Sequence, residues 1–86
     1  MTTPDPSHRK YQQALAAVLT DQCEFLGWTL FDLARESGIC NQSVKKIMGG
    51  SVSPMSYTVR RLATALHLEH WELLRMVREY EEVGVQ

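Results

Sequence analysis

An all-α domain, compact and built from five helices, is what these 86 residues predict. Three observations carry the prediction. Apolar residues recur at i, i+3, i+4 and i+7 in segment after segment, and no stretch alternates apolar with polar at the period of a strand. Glycine follows the last periodic residue of three segments, at Gly27, Gly38 and Gly49-Gly50, where a left-handed residue ends a helix at low cost. Finally, 44% of the residues are hydrophobic, which suits one globular domain rather than a disordered chain.

Residues 1–8 place Pro4 and Pro6 among small polar residues and read as a flexible tail. From Arg9 to Leu26 a long helix is predicted, with Tyr11, Leu15, Val18, Leu19, Gln22, Phe25 and Leu26 near the helical period. Ala14, Ala16 and Ala17 add helix propensity. Phe25 and Trp28 are expected in the core. Thr29 and Asp32 form a T-x-x-D start, so a second helix opens at Leu30. Leu30, Leu33, Ala34 and Ser37 share its inner face, Asp32, Arg35 and Glu36 its polar one, and Phe31 is expected at the fringe of the core. Gly38 stops this helix, with Ile39 as the apolar contact behind it.

Asn41 or Cys40 caps a third helix that ends at Met48. Val44, Ile47 and Met48 point inward, leaving Gln42, Lys45, Lys46 and Gly49 outside. SVSPMS is a loop, and the next helix starts either at Pro54 behind Ser53 or with Ser56 as its cap. Val59, Leu62, Ala63 and Leu66 form its buried stripe, with Arg60, Arg61 and Thr64 facing away. His67 and Leu68 make a turn. The last helix runs from about His70 to Glu82, with Leu73, Leu74, Val77 and Tyr80 or Glu81 inward. The domain thus spans residues 9–83, followed by a short tail over 84–86.

The formal charge of −1 does not announce a polyanion binder, but its distribution does more. From Ser37 to Leu68 there is no Asp or Glu, and Lys45, Lys46, Arg60 and Arg61 give the span +4. The other five Lys and Arg stand against ten acids, a balance of −5. One side is therefore expected to be basic, which favours local phosphate contact. Cys23 and Cys40 lack metal-site spacing and read as buried free thiols. His67 and His70 add no ligand set, and no paired carboxylates suggest acid–base work, so neither enzyme, metal nor cofactor is expected. No signal peptide and no apolar run near the ~18 residues of a membrane span occur, so a reducing cytoplasm and no membrane partner are expected.

Residues Gly27, Thr29, Leu33-Ala34, Gly38-Ile39, Val44, Ile47, Gly50, Pro54, Leu62-Ala63, Ala65-Leu66 and Leu73-Leu74 together resemble the lambda-repressor-like (Cro/C1-type, XRE-type) helix-turn-helix DNA-binding domain family. The resemblance covers roughly Leu26 to Leu74. It implies that Asn41–Met48 is the recognition helix, with Asn41, Gln42, Lys45 and Lys46 reading bases. Gln42 suits an adenine edge, and Lys45 or Lys46 a guanine. Asn41 is either a reader or only a cap. The same resemblance implies phosphate contacts at Thr29, Ser43, Gly49, Ser51, Ser53, Ser56, Tyr57, Arg60 and Arg61. The chain departs from the pattern at Leu30, where relatives often hold Gln, and at Gly49, where Asn is common. It also holds Cys23 and Met48 where relatives often pair Arg with Glu. An apolar sulfur pair can replace a buried ion pair without loss of stability, so the fold is expected to survive and the DNA-facing network to be rewired.

The implied function is a sequence-specific transcription regulator, a repressor binding a palindromic operator on double-stranded DNA as a homodimer, of bacterial or phage type. A chain this short buries only about 60% of its unfolded surface, which itself favours dimerisation. The last helix is the predicted interface, through Trp71, Leu74, Met76, Val77, Tyr80 and Val83. The alternative is a protein–protein interaction module or antitoxin-like adaptor, with Phe31 and the last helix holding a protein partner.

Overall fold

Five α-helices follow one another in the computed structural model, which describes residues 6–83 and the side chains of residues 9–82. They are α1 (Pro6–Leu26), α2 (Leu30–Ser37), α3 (Asn41–Met48), α4 (Ser56–Ala65) and α5 (His70–Val83), and no strand occurs among the described residues. α1 starts three residues before the predicted Arg9, with Pro6 in first position, where a missing amide costs nothing and φ is preset for helix. The rest of the predicted tails, residues 1–5 and 84–86, lies outside the described residues.

α1 packs along α5 and against α3, α2 packs on both α3 and α4, and α4 closes on α5. The core at their junction holds Leu15, Leu19, Leu33, Val44, Leu62 and Leu73, each fully buried. A radius of gyration of 12.2 Å equals the roughly 12 Å expected of a compact domain of this length. The predicted stripes of α2, α3 and α4 are inside: Leu33, Ala34 and Ser37, then Val44 and Ile47, then Val59, Leu62, Ala63 and Leu66.

Two expectations about the packing of α1 and α5 fail. Phe25 is 84% exposed rather than in the core: it lies on the edge of the α1 stripe, while Cys23 and Leu26, on either side of it in sequence, pack inward. Leu74 is 37% exposed, one position off the Leu73–Val77 line that meets α1 and α4. Trp28 does pack half-buried against the core.

The start of α2 shows how local chemistry fixes an element. Asp32 N donates to Thr29 Oγ1 at 3.2 Å and Thr29 N donates to Asp32 Oδ2 at 2.8 Å, so two otherwise orphaned amides are satisfied reciprocally. The Thr29 amide, chiefly, holds the Asp32 carboxyl below its ordinary range, helped by the Thr29 hydroxyl and Arg35. Thr29→Ala is expected to cost about 1 kcal/mol, read as a drop of roughly 1 M or less in the urea midpoint. Because the folded pKa of Asp32 is lowered, its contribution is complete above the unfolded carboxylate pKa of about 3.9 and is lost as pH falls through the folded value. Asp32→Asn should flatten that acid limb in urea titrations repeated at descending pH.

α2 ends at Gly38, whose φ of 74° puts it in the left-handed region. Its amide donates to Ala34 O at 2.9 Å, as does the Ile39 amide at 3.2 Å, and this closure turns the chain into α3 within three residues. The start of α4 differs from both predicted alternatives. Met55 is the N-cap residue and makes no side-chain cap bond, with Ser56 already in the helix. The Thr58 and Val59 amides reach Met55 O instead, at 2.9 and 3.0 Å. His67, at φ 64°, makes the predicted turn into α5.

Candidate nucleic-acid interface

α3 is held by one face and free on the other. Val44 and Ile47 are sunk in the core, at 0% and 3% exposure, while Asn41, Gln42, Ser43, Lys45 and Lys46 are all exposed. The N-cap position falls to Cys40, in extended conformation, and Asn41 is the first helical residue. The Asn41 amide group is therefore not spent on capping, and neither Asn41 nor Gln42 makes a side-chain hydrogen bond among the described residues.

The four cations of the acid-free span make no ion pair among the described residues, although Glu36 lines a cleft with Arg60 and Arg61, and Glu69 and Glu72 one with Arg60. Among the described residues the ion pairs are those of Arg35, to Asp32 at 3.1 Å and Glu36 at 3.7 Å, on the polar side of α2. Lys45, Lys46, Arg60 and Arg61 have none and are exposed. The structure divides them by direction. Lys46 and Ser43 line a cavity together with Tyr57, Thr58 and Arg61 of α4, whereas Gln42 and Lys45 lie further round α3, away from it. Arg61 leans over this cavity, its Nη1 3.5 Å from Gly38 O.

The predicted phosphate-contact residues fall into two groups. Ser56, Tyr57, Arg60 and Arg61 are exposed along the first turns of α4. Others are engaged within the fold. The Thr29 hydroxyl belongs to the α2 cap, and Ser51 Oγ donates to Lys46 O at 3.1 Å, closing the end of α3. Ser43 Oγ accepts from Cys40 Sγ at 3.2 Å, and Ser53 is half-buried in the loop. Gly49 sits in a right-handed conformation under the Lys45 carbonyl, 3.3 Å from where a Cβ would be, which leaves only its backbone to offer. Sequence reading missed Thr58, together with Val52 and Pro54, which wall the same cavity. Their signal is tertiary, since only the fold brings the loop against α3.

Of the predicted dimer contacts, Val77 is corrected: at 1% exposure it is core and cannot meet a second subunit. It lies on the buried Leu73 line of α5, the helix that packs on α1 and α4. Trp71 is 59% exposed, with Arg75 Cζ 5.4 Å from its ring centre. Met76 and Tyr80 are half-buried against the core, and the side chain of Val83 lies outside the described ones. Phe31 is 63% exposed rather than at the core's fringe.

The two cysteines part company. Cys23 is buried as predicted, and burial, reinforced by the charge of Asp32, pushes its thiol up. Cys40 is exposed, contrary to expectation, because the N-cap of α3 stands at the surface. The Ser43 hydroxyl first, then the Ser43 and Gln42 amides at the helix start, hold its thiol below the ordinary range. A thiol reagent such as iodoacetamide should therefore modify one cysteine quickly in the native protein, and mass mapping should find it at Cys40. Cys23 should react only after unfolding.

No group of three His, Cys, Asp or Glu among the described residues is placed to hold a metal ion. No helix among them is long and apolar enough to cross a membrane. What the geometry defines is a small all-helical domain whose α3 and α4 expose four cations, Lys45, Lys46, Arg60 and Arg61, that make no ion pair among the described residues. Beyond that class, no family model, curated protein or solved structure matches the chain.

Proposed function

We propose that the protein is a sequence-specific DNA-binding regulator of the lambda-repressor-like helix-turn-helix type, acting as a repressor at a near-palindromic operator in the cytoplasm. One observation carries the reading: α3 is anchored through Val44 and Ile47 and turns Asn41, Gln42, Lys45 and Lys46 to solvent with no partner of their own. Amide and ammonium groups on a rigid helix face match the donor and acceptor pattern of a major groove. Tyr57 and Arg61 share a cavity with Ser43 and Lys46 of α3 and, with the exposed Ser56 and Arg60 of the same helix, would set its register on phosphates.

A homodimer would place two α3 helices about 34 Å apart, one turn of the duplex. Trp71 and Leu74 are the exposed apolar residues of α5 that favour it. Light scattering at tens of micromolar, with and without operator DNA, should show a dimer in at least one condition. A monomer in both sinks the dimeric form of the reading.

The same exposed Phe31, Trp71 and Leu74 favour the second reading, an interaction module holding a protein partner. Gel shifts on the DNA upstream of the protein's own gene separate the two. The regulator retards this fragment in preference to unrelated DNA, and Gln42→Ala and Lys46→Ala weaken the complex. Binding indifferent to both substitutions removes α3 as the recognition element, and no binding leaves the interaction module.

A further inference from the structure

We propose that the cavity between α3, the loop after it and α4 is a binding site for a small organic anion with an apolar body, such as an aromatic carboxylate. The cavity measures about 400 Å³, within the range of pockets that enclose small ligands. Its composition is two-sided. Ile39, Ile47, Val52 and Pro54 are its apolar lining, and Lys46 and Arg61, both exposed, are its cations. No carboxylate lines it, and neither cation has an ion pair among the described residues. The closest partner of the Arg61 guanidinium is the Gly38 carbonyl, at a stretched 3.5 Å.

These walls define what the cavity would take. A bare anion satisfies Lys46 and Arg61 but leaves the apolar wall wet. A neutral ring covers the wall but leaves both cations as they were. A ring bearing one carboxylate does both, with the guanidinium fork of Arg61 suited to a bidentate grip. Tyr57, 59% exposed at the mouth, offers an aromatic edge to the same guest. The site does not depend on the DNA reading. Its consequence does: a guest holding Lys46 and Arg61 withdraws both from phosphate, so occupancy would oppose DNA binding.

Isothermal titration of the DNA-free protein tests the site with three probes: 2-naphthoate, the neutral 2-naphthamide and acetate. Naphthoate should bind one to one with a Kd of about 0.1–1 mM, and naphthamide and acetate at least roughly tenfold more weakly. Arg61→Gln and Lys46→Gln, both at exposed positions, should each weaken naphthoate by roughly five- to tenfold with an unchanged melting temperature. Phe25→Ser, at the most exposed apolar side chain, should leave it unaltered. Equal binding of naphthoate and naphthamide, loss of binding in Phe25→Ser, or persistence in both cation variants would overturn the proposal. Because no DNA is present, these outcomes are independent of whether α3 reads an operator. Displacement of the upstream fragment by naphthoate is a separate second step.

Discussion

Leu62→Ala is expected to cost about 2–5 kcal/mol, a large fraction of the total stability of a domain this small, about 4–13 kcal/mol at ordinary values per residue. Leu62 is fully buried at the middle of α4, the helix that meets α2 on one side and α5 on the other. Its removal opens a hole in the core that α4 shares with α2 and α5. Thermal unfolding should fall by at least roughly 8 °C. Leu62→Met, which keeps the volume, should cost less than about 1.5 kcal/mol. A mild effect of the alanine would mean that α4 is not a principal part of the core that α2 and α5 share.

The second large effect concerns binding, and it separates two residues that sequence alone placed together. Gln42 stands on the outer face of α3, and Lys46 turns toward α4 and Arg61. Gln42→Ala should therefore lose about 1–3 kcal/mol at one base pair and relax the preference there, leaving the salt dependence of binding as it was. Lys46→Ala should weaken all DNA sequences alike and reduce the slope of log K against log salt by about 1, as expected when one phosphate is no longer neutralised. Anisotropy titrations at several salt concentrations read both quantities at once. If the two variants behave alike, the division of α3 into a reading face and a phosphate edge is wrong.

Most of the architecture could be read from local signals. The T-x-x-D start of α2, the glycine stop at Gly38 and the Val44–Ile47 stripe each specify their own conformation within a few residues, and each is found as expected. What escaped depends on distant neighbours. Phe25 stands at the edge of the α1 stripe and is exposed while Leu26 beside it packs inward, and its own segment does not record how wide a face the other helices cover. Met55 holds the cap of α4 although Ser53 and Ser56 are the better capping residues. Cys40 was expected inside on the ordinary behaviour of free cysteine and stands outside because the turn it caps is at the surface. The candidate interface was legible as a run without carboxylates from Ser37 to Leu68. Its concavity was not, since Val52 and Pro54 reach α3 only in the folded chain.

The central claim is that the outer face of α3 contacts DNA. Its most direct test is an amide chemical-shift map of the wild-type protein titrated with a duplex from the region upstream of its gene. The largest changes should fall on Asn41, Gln42, Lys45 and Lys46, with smaller ones at Tyr57 and Arg61, while Trp71 and Leu74 respond only through dimer formation and Phe25 stays silent. A map centred on α5, or changes confined to Phe25 and Phe31 with α3 silent, would contradict it.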